Sequence, residues 1–296
     1  MTEVTPEEFL KRVKAIDLSV RRLIQGGLAG QYLSAFRGSG MQFREFRDYV
    51  YGDDVRHISW TASAKGSDPV LKTFEEERER NFLLVVDASA SLRKGAWAQQ
   101  KAERLAEIAA SLALSAEEAD DKIGLVLFTD RVEKTLSPSK GKTHVMRVIR
   151  DVLGFEPQGR LTDPNAALRH IDKVLKKQSI VFFLTDMEIL PDERLLRRCA
   201  SKHEFIAIAV DHPQEWELPR VGFLEVQSAE QGRPVTLDTQ SDSLRRYLQL
   251  HGQTRRAAIE QSFKRIGVDL VWIGTNDNFV TALQNFFRMR IMRGKR

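Results

Sequence analysis

The chain has 296 residues, of which 42% are hydrophobic and 29% are charged. This balance excludes disordered and fibrous proteins and predicts a globular fold with a sizeable core. The single cysteine, Cys199, excludes an internal disulfide and is interpreted as a packed thiol within a helix. The N-terminus is acidic and polar, and the apolar runs are too short to cross a membrane, so we expect a soluble cytoplasmic protein.

The formal net charge is +5, and the excess of basic residues is concentrated in the C-terminal half. The pairs at 245–246, 255–256 and 264–265 and the residues Arg288, Arg290, Arg293, Lys295 and Arg296 carry it. Such a surface binds nucleic acid or an acidic protein in some proteins, and is a solvated helix face in others. Because the chain has no nucleic-acid-binding motif, nucleic-acid binding is kept only as an alternative.

The first 80 residues are predicted to form an N-terminal helix and a β region. Thr5-Pro6-Glu7-Glu8 is a capping box with proline at the first helical position, so the sequence predicts an amphipathic helix over 6–25 that ends at the following glycines. The stretch 36–74 mixes aromatic and charged residues with glycine, which predicts short strands and turns around Gly52-Asp53-Asp54.

From residue 81 the pattern becomes that of an α/β domain. Continuous apolar runs lie at 82–86, 123–128, 180–184, 205–210 and 270–273, and helical patterns lie at 97–118, 142–153, 164–177, 191–201 and 278–292. Strands buried on both faces and joined by helices predict a doubly wound, mostly parallel sheet over 81–211 and 268–296. The run 132–136 follows the preceding strand too closely for a crossover, so we expect an antiparallel edge strand.

Residues 212–267 are interpreted as an insertion between the last two main strands. A hairpin is predicted from 223–226 and 234–237, turned at Glu230-Gln231-Gly232, followed by a charged helix over 243–263. We expect the hairpin to pack with the N-terminal strands as a small β subdomain.

Polar side chains with oxygen donors follow the predicted strands at one edge of the sheet. The first main strand ends in Asp87-Ala88-Ser89-Ala90-Ser91, Thr162 lies in a loop entering a helix, and Asp186 follows the strand 180–184. The carboxyl ends of parallel strands meet at one edge of a doubly wound sheet, so these side chains are expected to converge. Two carboxylates and three hydroxyls are hard donors, which favours Mg²⁺ or Mn²⁺ over zinc or copper. The alternative is a cluster of caps and turns without an ion.

This D-x-S-x-S pattern with a later threonine and a later aspartate resembles the metal-ion-dependent adhesion site of von Willebrand factor A domains. The resemblance implies that the metal ligands are Asp87, Ser89, Ser91, Thr162 and Asp186.

A longer stretch resembles the bacterial family called domain of unknown function fifty-eight, in its short soluble form. The likeness runs from about residue 36 almost to the C-terminus and includes 47–60, Ser63-Ala64-Lys65, 72–77, Phe155-Glu156-Pro157, Leu218-Pro219 and 286–290. It implies a protein-binding role beside a MoxR-type AAA+ ATPase. The family usually has two glycines before the metal-site threonine, whereas this chain has Gly159-Arg160-Leu161.

No catalytic constellation was found, so we do not expect an enzyme. Gly141-Lys142-Thr143 lacks the first glycine of a P-loop because residue 136 is leucine, and no G-x-S-x-G elbow is present. A Mg²⁺-dependent phosphatase or hydrolase with Asp87 as nucleophile stays as an alternative, although the second carboxylate of a D-x-D motif is replaced by Ser89. The segment 47–60 is interpreted as a brace for the metal-site loops, as a docking surface, or as an exposed charged hairpin with internal ion pairs.

Overall fold

The computed structural model describes residues 28–36, 41–51, 53–55, 58–64, 69–76, 80–92, 97–159, 161–217, 220–227 and 234–294. The strands are β1 (Met41–Asp48), β2 (Val70–Glu76), β3 (Asn81–Asp87), β4 (Lys122–Phe128), β5 (Val132–Ser139), β6 (Ile180–Thr185), β7 (Glu204–Asp211), β8 (Phe223–Gln227), β9 (Pro234–Asp238) and β10 (Asp269–Gly274). The helices are α1 (Ala29–Phe36), α2 (Trp60–Ser63), α3 (Ala98–Glu118), α4 (Lys142–Gly154), α5 (Pro164–Val174), α6 (Glu193–Lys202), α7 (Asp242–Ile266) and α8 (Phe279–Gly294).

The main sheet has six strands in the order β10-β7-β6-β3-β4-β5. All neighbouring pairs are parallel except β4 and β5, which are antiparallel. The predicted doubly wound, von Willebrand factor A-like α/β fold is therefore confirmed, with β3 in the interior of the sheet and β5 at its edge. All six strands fall within 81–211 or 268–296, while the division of the chain into domains stays a prediction.

Both faces of this sheet are covered, because its strands are apolar on both sides. One buried cluster includes Phe82 and Phe182 and joins α1, α3, α4 and α8 to one face. The other includes Val85 and Phe183 and joins α5, α6 and α7 to the opposite face. Cys199 is fully buried in the second cluster, as expected of a packed thiol, and burial raises its pKa to about 11.

Helix α1 was not predicted, because the glycines around it read as a helix end. Its Tyr32 and Phe36 pack against Phe82, and Phe36 also contacts Phe287 of α8. Burial of these large aromatic side chains holds the helix on the sheet and outweighs the weak helix propensity of Gly30. The helix predicted over 6–25 lies outside the described residues.

Helix α5 is shorter than its predicted range of 164–177. Asp163 caps its N-terminus by accepting a hydrogen bond from the backbone N–H of Asn165 at 2.9 Å, and Pro164 occupies the first turn. The helix ends at Val174 because Leu175 is already extended, with φ −78° and ψ 107°. Residues 175–177 are of types that favour helix, but their backbone is not helical.

The remaining strands form two separate antiparallel pairs, β1 with β2 and β8 with β9. Among the described residues the two pairs share no strand pairing, so the expected small β subdomain is not one continuous sheet. The predicted hairpin turn at 230–232 lies outside the described residues. In the part of the chain that is described, no helix is both long and apolar enough to cross a membrane.

Candidate metal centre

Asp87 is the last residue of β3, and its carboxylate is held among neutral donors. The residue is 4% exposed. The backbone N–H of Ser89 donates to its Oδ1 at 2.9 Å, and the hydroxyl of Thr185 donates to its Oδ2 at 2.8 Å. No lysine or arginine of the described residues pairs with it. Its negative charge is thus buried without a cationic partner in that part of the chain.

The two serines of the D-x-S-x-S motif lie directly beside Asp87. Ser89 is fully buried, and Ser91 lies in the short 3-10 turn Ala90–Leu92. Their hydroxyl oxygens are 3.0 Å apart. The turn therefore brings both hydroxyls to one place, as the spacing of the motif predicts.

Asp186 follows β6, the strand that neighbours β3. It is 5% exposed, and its Oδ1 accepts a hydrogen bond from the backbone N–H of Glu188 at 3.1 Å. Met187, directly after it, has a positive φ of 57°, an uncommon conformation for a residue with a side chain. Strained backbone of this kind is concentrated at functional sites, and here it lies beside the predicted ligand.

The loop that carries Thr162 is fastened to the strand on the other side of β3. The backbone N–H of Asp163 donates to the carbonyl of Thr129 at 2.9 Å, and Thr129 follows β4. Gly159 packs so closely on Thr129 that a Cβ would overlap its hydroxyl, and the Gly159 N–H donates to Glu133 at 2.6 Å. A side chain at position 159 would therefore clash with Thr129, whereas the side chain at position 161 is exposed and meets no such limit. Thr162 thereby lies at the same edge of the sheet as Asp87.

A buried lysine that the sequence patterns did not reveal also lies at this site. Lys101 of α3 is 3% exposed, and its Nζ lies 3.2 Å from Asp186 Oδ2 and 2.7 Å from Glu215 Oε1. Glu215 belongs to the short 3-10 turn Pro213–Glu215 after β7. The only available signal was a lysine within an alanine-rich helical pattern, which does not reveal which way that side chain points.

Burial and the neighbouring carboxylate of Asp186 both disfavour the ionised form of Asp87. Burial and, to a smaller extent, the negative charge of Asp186 raise the pKa of Asp87 to about 7, whereas the donors from Ser89 and Thr185 oppose the shift. Burial lowers the pKa of Lys101, but Asp186 and Glu215 more than offset this, so its pKa is raised and the ammonium stays charged. The site therefore favours an additional positive charge near Asp87.

The donor set fits a hard divalent cation. Each carboxylate oxygen and hydroxyl has lone pairs beyond the hydrogen bonds described above. Within the described residues no three His, Cys, Asp or Glu side chains are grouped so as to hold a metal. An ion at this edge would therefore depend on Ser89, Ser91 and Thr162 as well as on the two aspartates. These oxygen ligands match the preference of Mg²⁺ and Mn²⁺.

A helix of the predicted insertion supports the site from one side. Arg255 of α7 donates to the carbonyl of Met187 at 2.5 Å and to that of Glu188 at 3.0 Å. Gly252 of the same helix lies against Trp216, where a Cβ would approach the ring to 2.5 Å. The insertion is therefore in direct contact with the loop after Asp186 and with the turn that carries Glu215.

Many of the basic residues in the C-terminal half are engaged within the molecule. Arg256 pairs with Asp211 and Glu260, Arg265 with Glu193, and Arg290 with Glu204 and Asp269. This internal pairing reduces the charge that is left for a polyanion, so the structure gives the nucleic-acid alternative no added support.

The described residues of the segment 47–60 lead from the end of β1 to the start of α2. Arg47 pairs with Asp53 at 2.7 Å, and Asp53 also accepts the backbone N–H of Val50 at 3.0 Å. The side chain of Trp60 is 70% exposed and therefore needs no buried partner for its indole N–H. Arg47 and Asp53 thus make the internal ion pair expected of an exposed charged hairpin. The role of the segment 47–60 as a brace or a docking surface stays a prediction.

The fold and the strand-end donors define a von Willebrand factor A-like α/β protein with a candidate cation site. The family model described as protein of unknown function DUF58 matches residues 45–258, so the chain belongs to the DUF58 family. This confirms the resemblance drawn from the motifs.

Curated relatives and solved structures were also found. The chain is 25% identical over 293 residues to Uncharacterized protein Mb1516 of Mycobacterium bovis and to Uncharacterized protein Rv1480 of Mycobacterium tuberculosis, covering 97% of this chain and 92% of each relative. It is similar to the conserved hypothetical protein BatB of Bacteroides thetaiotaomicron, with 13% identity, a TM-score of 0.47, and coverage of 72% of this chain and 99% of that chain. It is also similar to proximal thread matrix protein 1 of the mussel byssus with a zinc-occupied MIDAS motif, with 20% identity, a TM-score of 0.37, and coverage of 45% and 38%.

Proposed function

We propose that this protein is a metal-dependent protein-binding adaptor without catalytic activity of its own. Asp87, Ser89, Ser91, Thr162 and Asp186 would hold Mg²⁺ or Mn²⁺ at the carboxyl edge of the sheet. The observation that carries the proposal is the buried Asp87 carboxylate, which lies beside Asp186 and two hydroxyls and has only neutral donors among the described residues. A bound ion with an open position would supply a directional contact for a carboxylate of another protein.

The surroundings of the site support a protein as the partner. Leu161 precedes Thr162, and Ile189 and Leu190 follow the Asp186 loop; all three are exposed, with 51%, 41% and 43% of each residue accessible. Apolar side chains around a polar centre are typical of protein interfaces, where they exclude water from the central contact. The partner would therefore present an acidic side chain next to apolar ones.

A MoxR-type AAA+ ATPase, or a client of that ATPase, is the associate that the family resemblance implies. The ATPase would supply the energy, since the sequence has no P-loop of its own. The adaptor would work in a chaperone-like or complex-assembly role. Electrostatic steering by the basic C-terminal half would fade as salt is added.

The first test is calorimetry of Mg²⁺ and Mn²⁺ binding to the full chain. Asp87→Ala and Asp186→Ala are expected to weaken binding by about a hundredfold or more, because each removes one of only two charged ligands. Asp172→Ala is the matched control, since Asp172 pairs with Arg198 and Lys202 away from the site. Equal affinity in wild type and Asp87→Ala would overturn the metal assignment.

The second test is binding to a purified MoxR-type ATPase from the same organism, without nucleotide and with or without Mg²⁺. The complex is expected to form with wild type and Asp172→Ala and to be lost with Asp87→Ala. A complex that survives Asp87→Ala, Asp186→Ala and chelation would move the adaptor surface elsewhere, with the segment 47–60 as the next candidate. Phosphatase activity that depends on Asp87 would favour the hydrolase alternative instead.

A further inference from the structure

Lys101 is held in place by two acidic groups that come from different parts of the fold. Its side chain is 4% exposed, and its Nζ contacts Asp186 after β6 and Glu215 after β7. A buried ammonium with two carboxylate partners is fixed in position, because moving it would leave all three charges unpaired in a dry environment.

Glu215 is itself positioned by its neighbours. It accepts the backbone N–H of His212 at 3.3 Å, while the ring nitrogen of His212 accepts the backbone N–H of Gln214 at 3.2 Å. The ring of Trp97, just before α3, stacks on His212 with centroids 4.1 Å apart. The helix that carries Lys101 and the turn that carries Glu215 are therefore joined by two independent contacts.

The charges of this cluster leave room for a divalent ion. Asp87, Asp186, Glu188 and Glu215 are four carboxylates, and Lys101 and Arg255 contribute two positive charges, so the formal charge is −2. One divalent cation neutralises that charge. Without Lys101 the same cation would leave a net negative site, which would repel an incoming carboxylate.

We infer that Lys101 is a positioning residue that tunes the metal centre, weakening its hold on the ion while keeping the bound ion attractive to a partner's carboxylate. The inference rests on the proposed function. It predicts two opposite changes in one variant: removal of the lysine charge should tighten metal binding and weaken carboxylate binding. A lysine with only a structural role would not change the two affinities in opposite directions.

The probe is Mn²⁺ with the full chain, measured first by calorimetry. Lys101→Gln is expected to raise Mn²⁺ affinity about tenfold, since it removes a positive charge in direct contact with a predicted ligand. The second measurement concerns carboxylate binding. Acetate is added to the Mn²⁺-loaded protein, and displacement of metal-bound water is followed by water-proton relaxation. Lys101→Gln is expected to weaken acetate binding about threefold or more. Lys202→Gln, which breaks an ion pair with Asp172 far from the site, should change neither value.

A second variant keeps the test decisive if Lys101→Gln fails to fold. Glu215→Gln retains the acceptor for the His212 N–H but removes one negative charge, so Mn²⁺ affinity is expected to fall about threefold to tenfold. Folded Lys101→Gln protein with unchanged or weaker Mn²⁺ affinity would overturn the inference, as would unchanged affinity in Glu215→Gln. Wild-type protein that binds no Mn²⁺, or that binds it as Asp87→Ala does, would overturn the proposed function itself.

Discussion

Charged side chains lie half-buried at the amino end of the central sheet and buried at its carboxyl end, and the two ends neutralise them differently. At the amino end, Glu204 and Asp269 begin neighbouring strands, and Arg290 of α8 pairs with both. At the carboxyl end, Asp87 has only neutral hydrogen-bond donors in the described part of the chain. The ion pairs of Arg290 therefore form a closed network at the amino end that stabilises the fold.

The carboxyl end retains negative charge that its ion pairs do not balance, unlike the Arg290 network at the amino end. Lys101 compensates Asp186 and Glu215, but no cation is in contact with Asp87 among the described residues. Incomplete neutralisation next to a second buried carboxylate, more than the presence of charge, distinguishes this candidate ligand site from the Arg290 network.

Breaking the network at the amino end should produce the largest loss of stability. Arg290→Met leaves Glu204 and Asp269 without their shared cation and removes the guanidinium from the faces of Phe36 and Phe286. We expect the free energy of unfolding to fall by about 2 to 3 kcal/mol in chemical denaturation, because the half-buried Glu204 loses its ion-pair partner and two aromatic rings lose their contact with the guanidinium. Arg293→Met is the control, because Arg293 is largely exposed and should contribute little. Equal losses in the two variants would contradict the proposed role of the network.

At the carboxyl end, removal of a charge should raise the free energy of unfolding instead of lowering it. The folded protein holds the pKa of Asp87 at about 7, above its ordinary value of 3.8, mainly through burial, so above pH 7 ionisation of Asp87 opposes folding. Asp87→Asn is therefore expected to raise the free energy of unfolding by about 2 kcal/mol at pH 8 with chelator present. The same variant should lose the rise in melting temperature that Mg²⁺ gives to the wild type.

The matched control for that variant is Asp172→Asn. Nearby Lys202 lowers the pKa of Asp172 despite partial opposition from burial, so its charge favours folding, and its removal should bring no gain in stability. If Asp87→Asn is less stable than the wild type in chelator, Asp87 serves the fold rather than a ligand.

The smallest effect concerns Asp121, which lies at the amino end just before β4. It accepts the backbone N–H of Arg80 at 3.1 Å, and burial raises its pKa to about 6. Because the folded pKa lies above the ordinary value, this group's contribution to stability is lost as the pH rises from about 4 to about 6. Asp121→Asn keeps the acceptor and should gain about 1 kcal/mol relative to the wild type at pH 7, but little at pH 4. The free energy of unfolding is measured by denaturation of both proteins at pH 4 and at pH 7. If the difference between variant and wild type is the same at the two pH values, ionisation of Asp121 is not the cause.

Much of the fold could be predicted because its signals are local. The apolar runs that became β3, β4, β6, β7 and β10 are continuous and separated by helical patterns, so each strand was predicted within one or two residues of its observed ends. The site residues at the ends of β3 and β6 followed from the same pattern, since strand order alone brings those ends together. The metal itself stays a prediction.

The features that the sequence did not reveal depend on packing between distant segments. Lys101 and Asp186 are 85 residues apart, and their contact depends on how α3 is rotated on the sheet. Helix α1 exists because Tyr32 and Phe36 find an aromatic pocket formed by β3 and α8, which no local pattern encodes. Sequence by itself determined most of the strands and helices and the order of the candidate donors along them, because periodicity and caps act within a few residues. Only the tertiary structure decided which charges meet, because burial and ion pairing are properties of the folded surface and not of the chain.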